Sequence, residues 1–116
     1  MINISITERN NNIIAIEAKG HSGYAKQGSD IVCSAVSTLM QALANGLTEV
    51  VKVDAKVLID ENTPYMSINV LEDENRTITK HEMEQVQVLM KTTVLALKEV
   101  ADGYSKFIKI KEMHND

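Results

Sequence analysis

"DIVCSAVSTLMQALANGLTEV", residues 30–50, decides the fold of this chain. Asp30 is a preferred helix N-cap, because its carboxylate can accept hydrogen bonds from the unpaired amides of a first turn. Behind it Val36, Met40, Leu43, Leu47 and Val50 recur at spacings of three and four and draw one apolar stripe. Gly46 interrupts the pattern, so the spacing predicts a helix that ends at Ala44–Asn45 or runs on to about Val51. A helix with one apolar stripe must bury it against something. Its neighbours in the chain decide what that is.

Upstream, "INISITE" (residues 2–8) alternates Ile2, Ile4 and Ile6 with polar residues, the period of a half-buried strand. "RNNN" (9–12) supplies residues that tolerate left-handed turns, and "IIAIEAKG" (13–20) then places Ile14, Ile16 and Ala18 on one face. The pair reads as a hairpin. Downstream, "KVLID" (56–60) and "YMSINVLED" (65–73) make a second strand pair, turned by "ENTP" with the chain's only proline, Pro64. Met66, Ile68 and Val70 share its apolar face.

A second helix opens with a capping box, Thr79 and Glu82, and with Ile78 and Met83 at the positions of a hydrophobic staple. Met83, Val86, Met90, Val94, Leu97 and Ala101 line one face, and Gly103 stands where a left-handed residue would close the helix. "KFIKI" (106–110) is a last strand that brings Ile108 and Ile110 back to the core. The order ββαββαβ predicts an α+β fold: two helices in one layer on a mixed sheet of about five strands, in one domain spanning residues 1–116.

Composition bounds the function. In 116 residues, 44% hydrophobic and 24% charged, a folded domain is expected rather than a disordered chain. The net charge is −4 with no block of lysine and arginine, which argues against a direct nucleic-acid partner and suits a basic protein or peptide better. The N-terminal residues lack the pattern of a signal peptide, and uninterrupted apolar runs are too short for a membrane span. One cysteine permits no internal disulfide, so a cytoplasmic protein is expected.

The stretch between the hairpin and the first helix, "GHSGYAKQGS" (20–29), belongs to neither. It carries His21, three of the five glycines (Gly20, Gly23 and Gly28) and the serines Ser22 and Ser29, and it ends just before Asp30 and the lone Cys33. A lone cysteine is commonly a small buried hydrophobe. Here, with Asp30 as N-cap, Cys33 is the third helical residue, where the helix dipole and unpaired amides favour a thiolate. That position offers a nucleophile with amide donors for an oxyanion nearby. His21 is the natural base, although a structural histidine at a strand end is an equal reading. Asp30 has two candidate roles, capping the helix or orienting His21, and its charge opposes a thiolate at Cys33. Other chemistries fit less well. A phosphate loop lacks its GxxxxGK[ST] pattern. A metal held by His21, Asp30 and Cys33 lacks CxxC or HxxxH spacing, and no metal or cofactor is expected. No serine sits in a GxSxG elbow. The remaining histidines, His81 in the first turn of the second helix and His114 in the polar tail, read as solvated.

"GHSGYAKQGSDIVCSAVSTL" (20–39) resembles the signature of the bacterial ribosomal-processing cysteine proteases, the Prp family: a Gly-His pair, a glycine-bearing loop, then Asp, two residues, Cys, and a Ser one turn later. The resemblance implies a cysteine endopeptidase in which Cys33 is the nucleophile and His21 the general base, with Asp30 and Ser37 supporting them. It implies a substrate-binding loop containing Gly20, Ser22, Gly23, Gly28 and Ser29 that moves over the site. It further implies a homodimer whose substrate is a precursor of large-subunit ribosomal protein number twenty-seven, which loses its N-terminal extension during ribosome assembly. The alternative of another class is a non-catalytic ribosome-associated module that grips a peptide or anion, with Cys33 inert.

Overall fold

A computed structural model of the chain describes residues 1–21, 23, 25, 30–60, 62–70 and 77–115. Among these residues five strands and two α-helices occur in the order read from the sequence: β1 (Ile2–Arg9), β2 (Asn12–Lys19), α1 (Ile31–Asn45), β3 (Lys56–Asp60), β4 (Tyr65–Asn69), α2 (Lys80–Gly103) and β5 (Ile108–His114). The strands form one mixed sheet in the order β3-β4-β2-β1-β5, with only the β1–β5 pair parallel. The architecture is α+β, two helices on one sheet.

The hairpin forms because Asn10 and Asn11 both take left-handed backbone angles, φ 51° and 67°, the pair a tight turn between twisted strands requires. Its register sets Ile4 opposite Ala18 and Ile6 opposite Ile16, and Ile16 in turn faces Ile68 across β4. All five are buried and form the centre of the core. The strict alternation breaks at one place. A bulge opposite the Thr7–Glu8 step inserts Ile14 as an extra residue in β2, so Ile13 and Ile14 are both buried. The backbone freed at Ile13 is satisfied from α2: the Gln87 side chain accepts from the Ile13 amide at 2.7 Å and donates to its carbonyl at 2.8 Å. Gln87, buried on the stripe between Val86 and Met90, is a polar residue that sequence periodicity passed over.

The helix starts match their sequence signals. Asp30 caps α1, and Thr79 with Glu82 makes the reciprocal capping box of α2. The ends are less simple. α1 stops at Asn45 and the chain continues as a π-helical segment, Gly46–Val51, so both endings the sequence allowed are present. The wider turn rotates later side chains off the α-helical stripe. Leu47 is still fully buried, whereas Val50 is 77% exposed and Val51 packs on the core in its place. The left-handed residue that closes this segment is Lys52, φ 65°. Gly103 is not left-handed. It is the last residue of α2, and Tyr104 caps the helix with φ −133° while its amide bonds Val100 and Ala101. Ile108 is buried as expected and Ile110 half-buried. β5 runs on to His114, whose Nδ1 lies 3.2 Å from Glu8 Oε2, so that histidine ends a strand and is not part of a loose tail.

The helical run Ile31–Val51 is long and apolar enough for a membrane span by length and composition, beyond what the short uninterrupted apolar runs suggested. Its apolar stripe is covered instead. Val32, Val36, Met40, Leu43, Ala44 and Leu47 are buried against the sheet and α2.

Two expectations follow. Gln87→Leu removes both bonds to Ile13 and is expected to lower the unfolding free energy by about 1–3 kcal/mol, the cost of burying a backbone polar group without its partner; the urea midpoint reads it. The second concerns acid. The Thr79 backbone amide, and then its side chain, hold the Glu82 carboxyl below its ordinary value of 4.5. A lowered folded-state value contributes stability above the ordinary pKa, lost as pH falls through the lowered one. Wild type should therefore melt above Glu82→Gln at pH 7, and the gap should close as the pH is brought below 4.5 and Glu82 becomes protonated.

Candidate active site

Two helices do not cover all five strands equally. β1 and β2 each place three or more buried residues under them, while β3, at the sheet edge beside β4, has none. α1 packs over β4, and β3 projects past it. The gap between the first half of α1 and the projecting strands is a cleft of about 360 Å³. Cys33, Ser37 and Gln41 line it at successive turns of α1 together with Val36 and Met40, and Ile59, Tyr65 and Met66 line it from the sheet.

His21 reaches the same cleft because of Gly20. Gly20 has φ +100°, and a β-carbon there would stand 2.5 Å from the Met1 carbonyl oxygen, so the chain can turn over the end of β1 only without a side chain. Its amide donates to the Pro64 carbonyl at 2.9 Å, tying the end of β2 to the turn between β3 and β4. His21 follows at once, exposed on the cleft wall.

The start of α1, which brings Cys33 to the cleft, is held by Asp30, which is 4% exposed. Its Oδ1 accepts from the amides of Val32 and Cys33, both at 3.0 Å, and its Oδ2 accepts from the Cys33 thiol at 3.3 Å. The Ser34 amide is taken by the Asp30 carbonyl at 3.2 Å. The cap is thus real, and it changes one expectation: the first-turn amides beside Cys33 are occupied and do not stand free for an oxyanion. Asp30 bonds the thiol and makes no hydrogen bond to His21. Among the described hydrogen bonds none joins His21 to Cys33 either, although both line the one cleft. Ser37 is exposed one turn further along α1. Gly23 is left-handed, φ +73°, with no neighbour crowding it. Ser22, Gly28 and Ser29 lie outside the described residues. Among the described residues no three His, Cys, Asp or Glu side chains converge as a metal site would require.

Sequence reasoning missed the sheet side of the cleft. Ile59 belongs to β3 and is 56% exposed although apolar, and no signal in the sequence set it apart from the other apolar strand residues. Tyr65 was read only as a strand residue; its hydroxyl donates to Glu17 Oε2 at 2.9 Å on the cleft rim.

A lone cysteine at a helix start and a histidine after a forced glycine turn, both lining one cleft, invite comparison with known thiol proteases. The family model described as cysteine protease Prp matches residues 1–109. The chain belongs to the Prp family of cysteine proteases. The crystal structure of SMU.848 from Streptococcus mutans is similar over 99% of this chain and 96% of that one, with TM-score 0.82 and 31% identity. The ribosomal processing protease Prp from S. aureus shares the fold in a complex with a covalently linked product peptide (TM-score 0.82, 19% identity, 97% of this chain and 99% of that one). It does so again with a substrate peptide (TM-score 0.77, 18% identity, the same coverage). No curated protein matches the chain. As a Prp-family member it is an enzyme, a cysteine protease, and the reading of an inert binding module is set aside.

Gly20 gives the sharpest test of how the histidine is placed. Gly20→Ala must move the Met1 carbonyl or abandon φ +100°, a strain of about 1–3 kcal/mol. The expected outcome is a lower melting temperature and a larger loss of peptide cleavage than the melting shift explains, since His21 is displaced along with the turn.

Proposed function

We propose that this protease uses Cys33 and His21 as its catalytic pair to remove the N-terminal extension of the precursor of large-subunit ribosomal protein twenty-seven. The observation that carries the catalytic reading is the placement of both side chains on one cleft, with Cys33 in the first turn of α1. In the reaction Cys33 Sγ attacks the scissile carbonyl carbon as its proton passes to His21. The C–N bond breaks when His21 gives that proton to the leaving amine. Water, deprotonated by His21, then attacks the thioester carbonyl, the acid product leaves, and the proton returns to Sγ. Ser37 and Asp30 support the pair, Ser37 from the cleft one turn away and Asp30 through the thiol and its amide.

The cleft suits an extended chain. Cys33 to Gln41 spans eight residues of α1, about 12 Å, which matches three to four residues of an extended peptide. An unstructured N-terminal extension can lie there, with apolar side chains against Met40, Ile59 and Met66. The S. aureus relative holds a product peptide covalently, which supports a substrate of this form. We assign substrate binding to Gly20, Ser22, Gly23, Gly28 and Ser29, and the net charge of −4 suits a basic ribosomal protein. We place the enzyme in the cytoplasm, as a homodimer that takes no cofactor.

Incubation with the precursor ribosomal protein, read by intact mass, tests the assignment. Wild type should release one N-terminal fragment. Cys33→Ala should release none while melting like wild type, and His21→Ala should lose about 10²–10⁴-fold in turnover, the contribution of a general base. Cleavage by Cys33→Ala at the wild-type rate would remove Cys33 from the mechanism.

A further inference from the structure

The catalytic reading asks the Cys33 thiol to give its proton to His21, yet the thiol points elsewhere. It donates to Asp30 Oδ2 at 3.3 Å, and the carboxylate that receives it is held immobile: 4% exposed, with Oδ1 fixed by two amides at 3.0 Å each. We infer that Asp30 is a positioning residue that latches the free enzyme, keeping the Cys33 side chain turned toward the helix start and its proton on sulfur until a substrate in the cleft draws the thiol to His21. The inference rests on the proposed Cys33–His21 pair and adds what holds that pair apart.

Three features of the geometry carry it. Oδ1 accepts from the two capping amides and Oδ2 from the thiol, so the thiol can turn away without breaking the bonds that cap α1. The receiving oxygen sits at the start of the helix whose third residue is Cys33, and that residue lines the same cleft as His21, so the thiol has a second partner available on one cleft. His21 is exposed and lines the same cleft, where an arriving peptide can contact it. A thiol has to lose its proton to act as a nucleophile, so a thiol held as a donor is a slow one. The latch thus protects an otherwise accessible cysteine from attack on the wrong carbonyl or electrophile.

Asp30→Asn separates latch from cap. An asparagine caps as well as an aspartate, and its Oδ1 can keep both amides, but its NH2 group then faces sulfur as a donor and cannot receive the thiol proton. In the free protein, without substrate, iodoacetamide at a fixed neutral pH should alkylate Cys33 about tenfold faster in Asp30→Asn than in wild type, the ratio one ordinary hydrogen bond holds back. The melting temperature should stay within a degree or so of wild type. A saturating non-cleavable peptide aldehyde or amide would mask the site, so the comparison is made on the apo enzyme. His21→Ala in the same assay should leave the wild-type alkylation rate where it is, because His21 does not hold the thiol in the free state. Equal alkylation of wild type and Asp30→Asn with unchanged melting overturns the latch. Wild-type alkylation that falls sharply in His21→Ala also overturns it, since the dyad would then be assembled already. If Asp30→Asn melts lower, Asp30→Ser, which keeps a capping oxygen without the second acceptor, takes its place and the same two outcomes decide. None of these readings depends on cleavage, so failure of the ribosomal-substrate assignment leaves the alkylation result intact.

Discussion

Nearly all the apolar side chains of the sheet lie on one face, and two helices have to cover it. The rest of the structure depends on where that cover ends. The contact between Ile16, Ile6 and Ile68 at the sheet centre is fully buried, and burial falls away toward β3 and β5. Burying an aliphatic side chain contributes about 1.5–3 kcal/mol, so the helices settle over the central strands and leave the edges thinly covered. At β3 the uncovered strip is the cleft. A fully covered sheet would have been more stable and would have had no place for a peptide.

Two sets of hydrogen bonds between elements hold that cover in register. Gln87 fastens α2 to the bulge of β2 through Ile13, and the Gly20 amide fastens the end of β2 to Pro64. The first fixes the helix layer to the sheet. The second fixes the turn that carries His21. Both are polar contacts that are individually modest, each about 0.5–1.5 kcal/mol net, and costly to leave unmade.

Asp30 joins local structure to chemistry. The same carboxylate that satisfies the first turn of α1 receives the thiol of the residue that the family relation and the cleft single out. A cap residue selected for helix stability would need only one oxygen. The second oxygen faces the cysteine because Cys33 is the third residue after the cap, a spacing of one helical turn that brings its side chain back over the helix start. Stability and reactivity are therefore coupled at one side chain, which is why melting and alkylation of the Asp30→Asn variant report on different things.

What the sequence by itself determined was local. Period-two and period-four patterns placed the strands and helices, the Asn10–Asn11 turn and the Thr79–Glu82 box marked their ends, and the spacing from Asp30 to Cys33 put the cysteine in a first turn, because each of these is written within a few residues. The Gly-His, Asp and Cys pattern carried the family relation, which the match over residues 1–109 bears out. The tertiary structure decided what depends on contacts between distant segments. Val50 left its stripe because the helix widened against α2, Gly103 stayed helical because Tyr104 took the cap, and Gln87 became a core residue because a bulge seventy-four positions away left Ile13 in need of partners. Ile59 became a cleft wall only once β3 was set at the sheet edge beyond α1. The pairing of thiol with Asp30 in place of His21 was equally beyond the sequence, because spacing brings the cysteine near its cap but says nothing of which way its proton points.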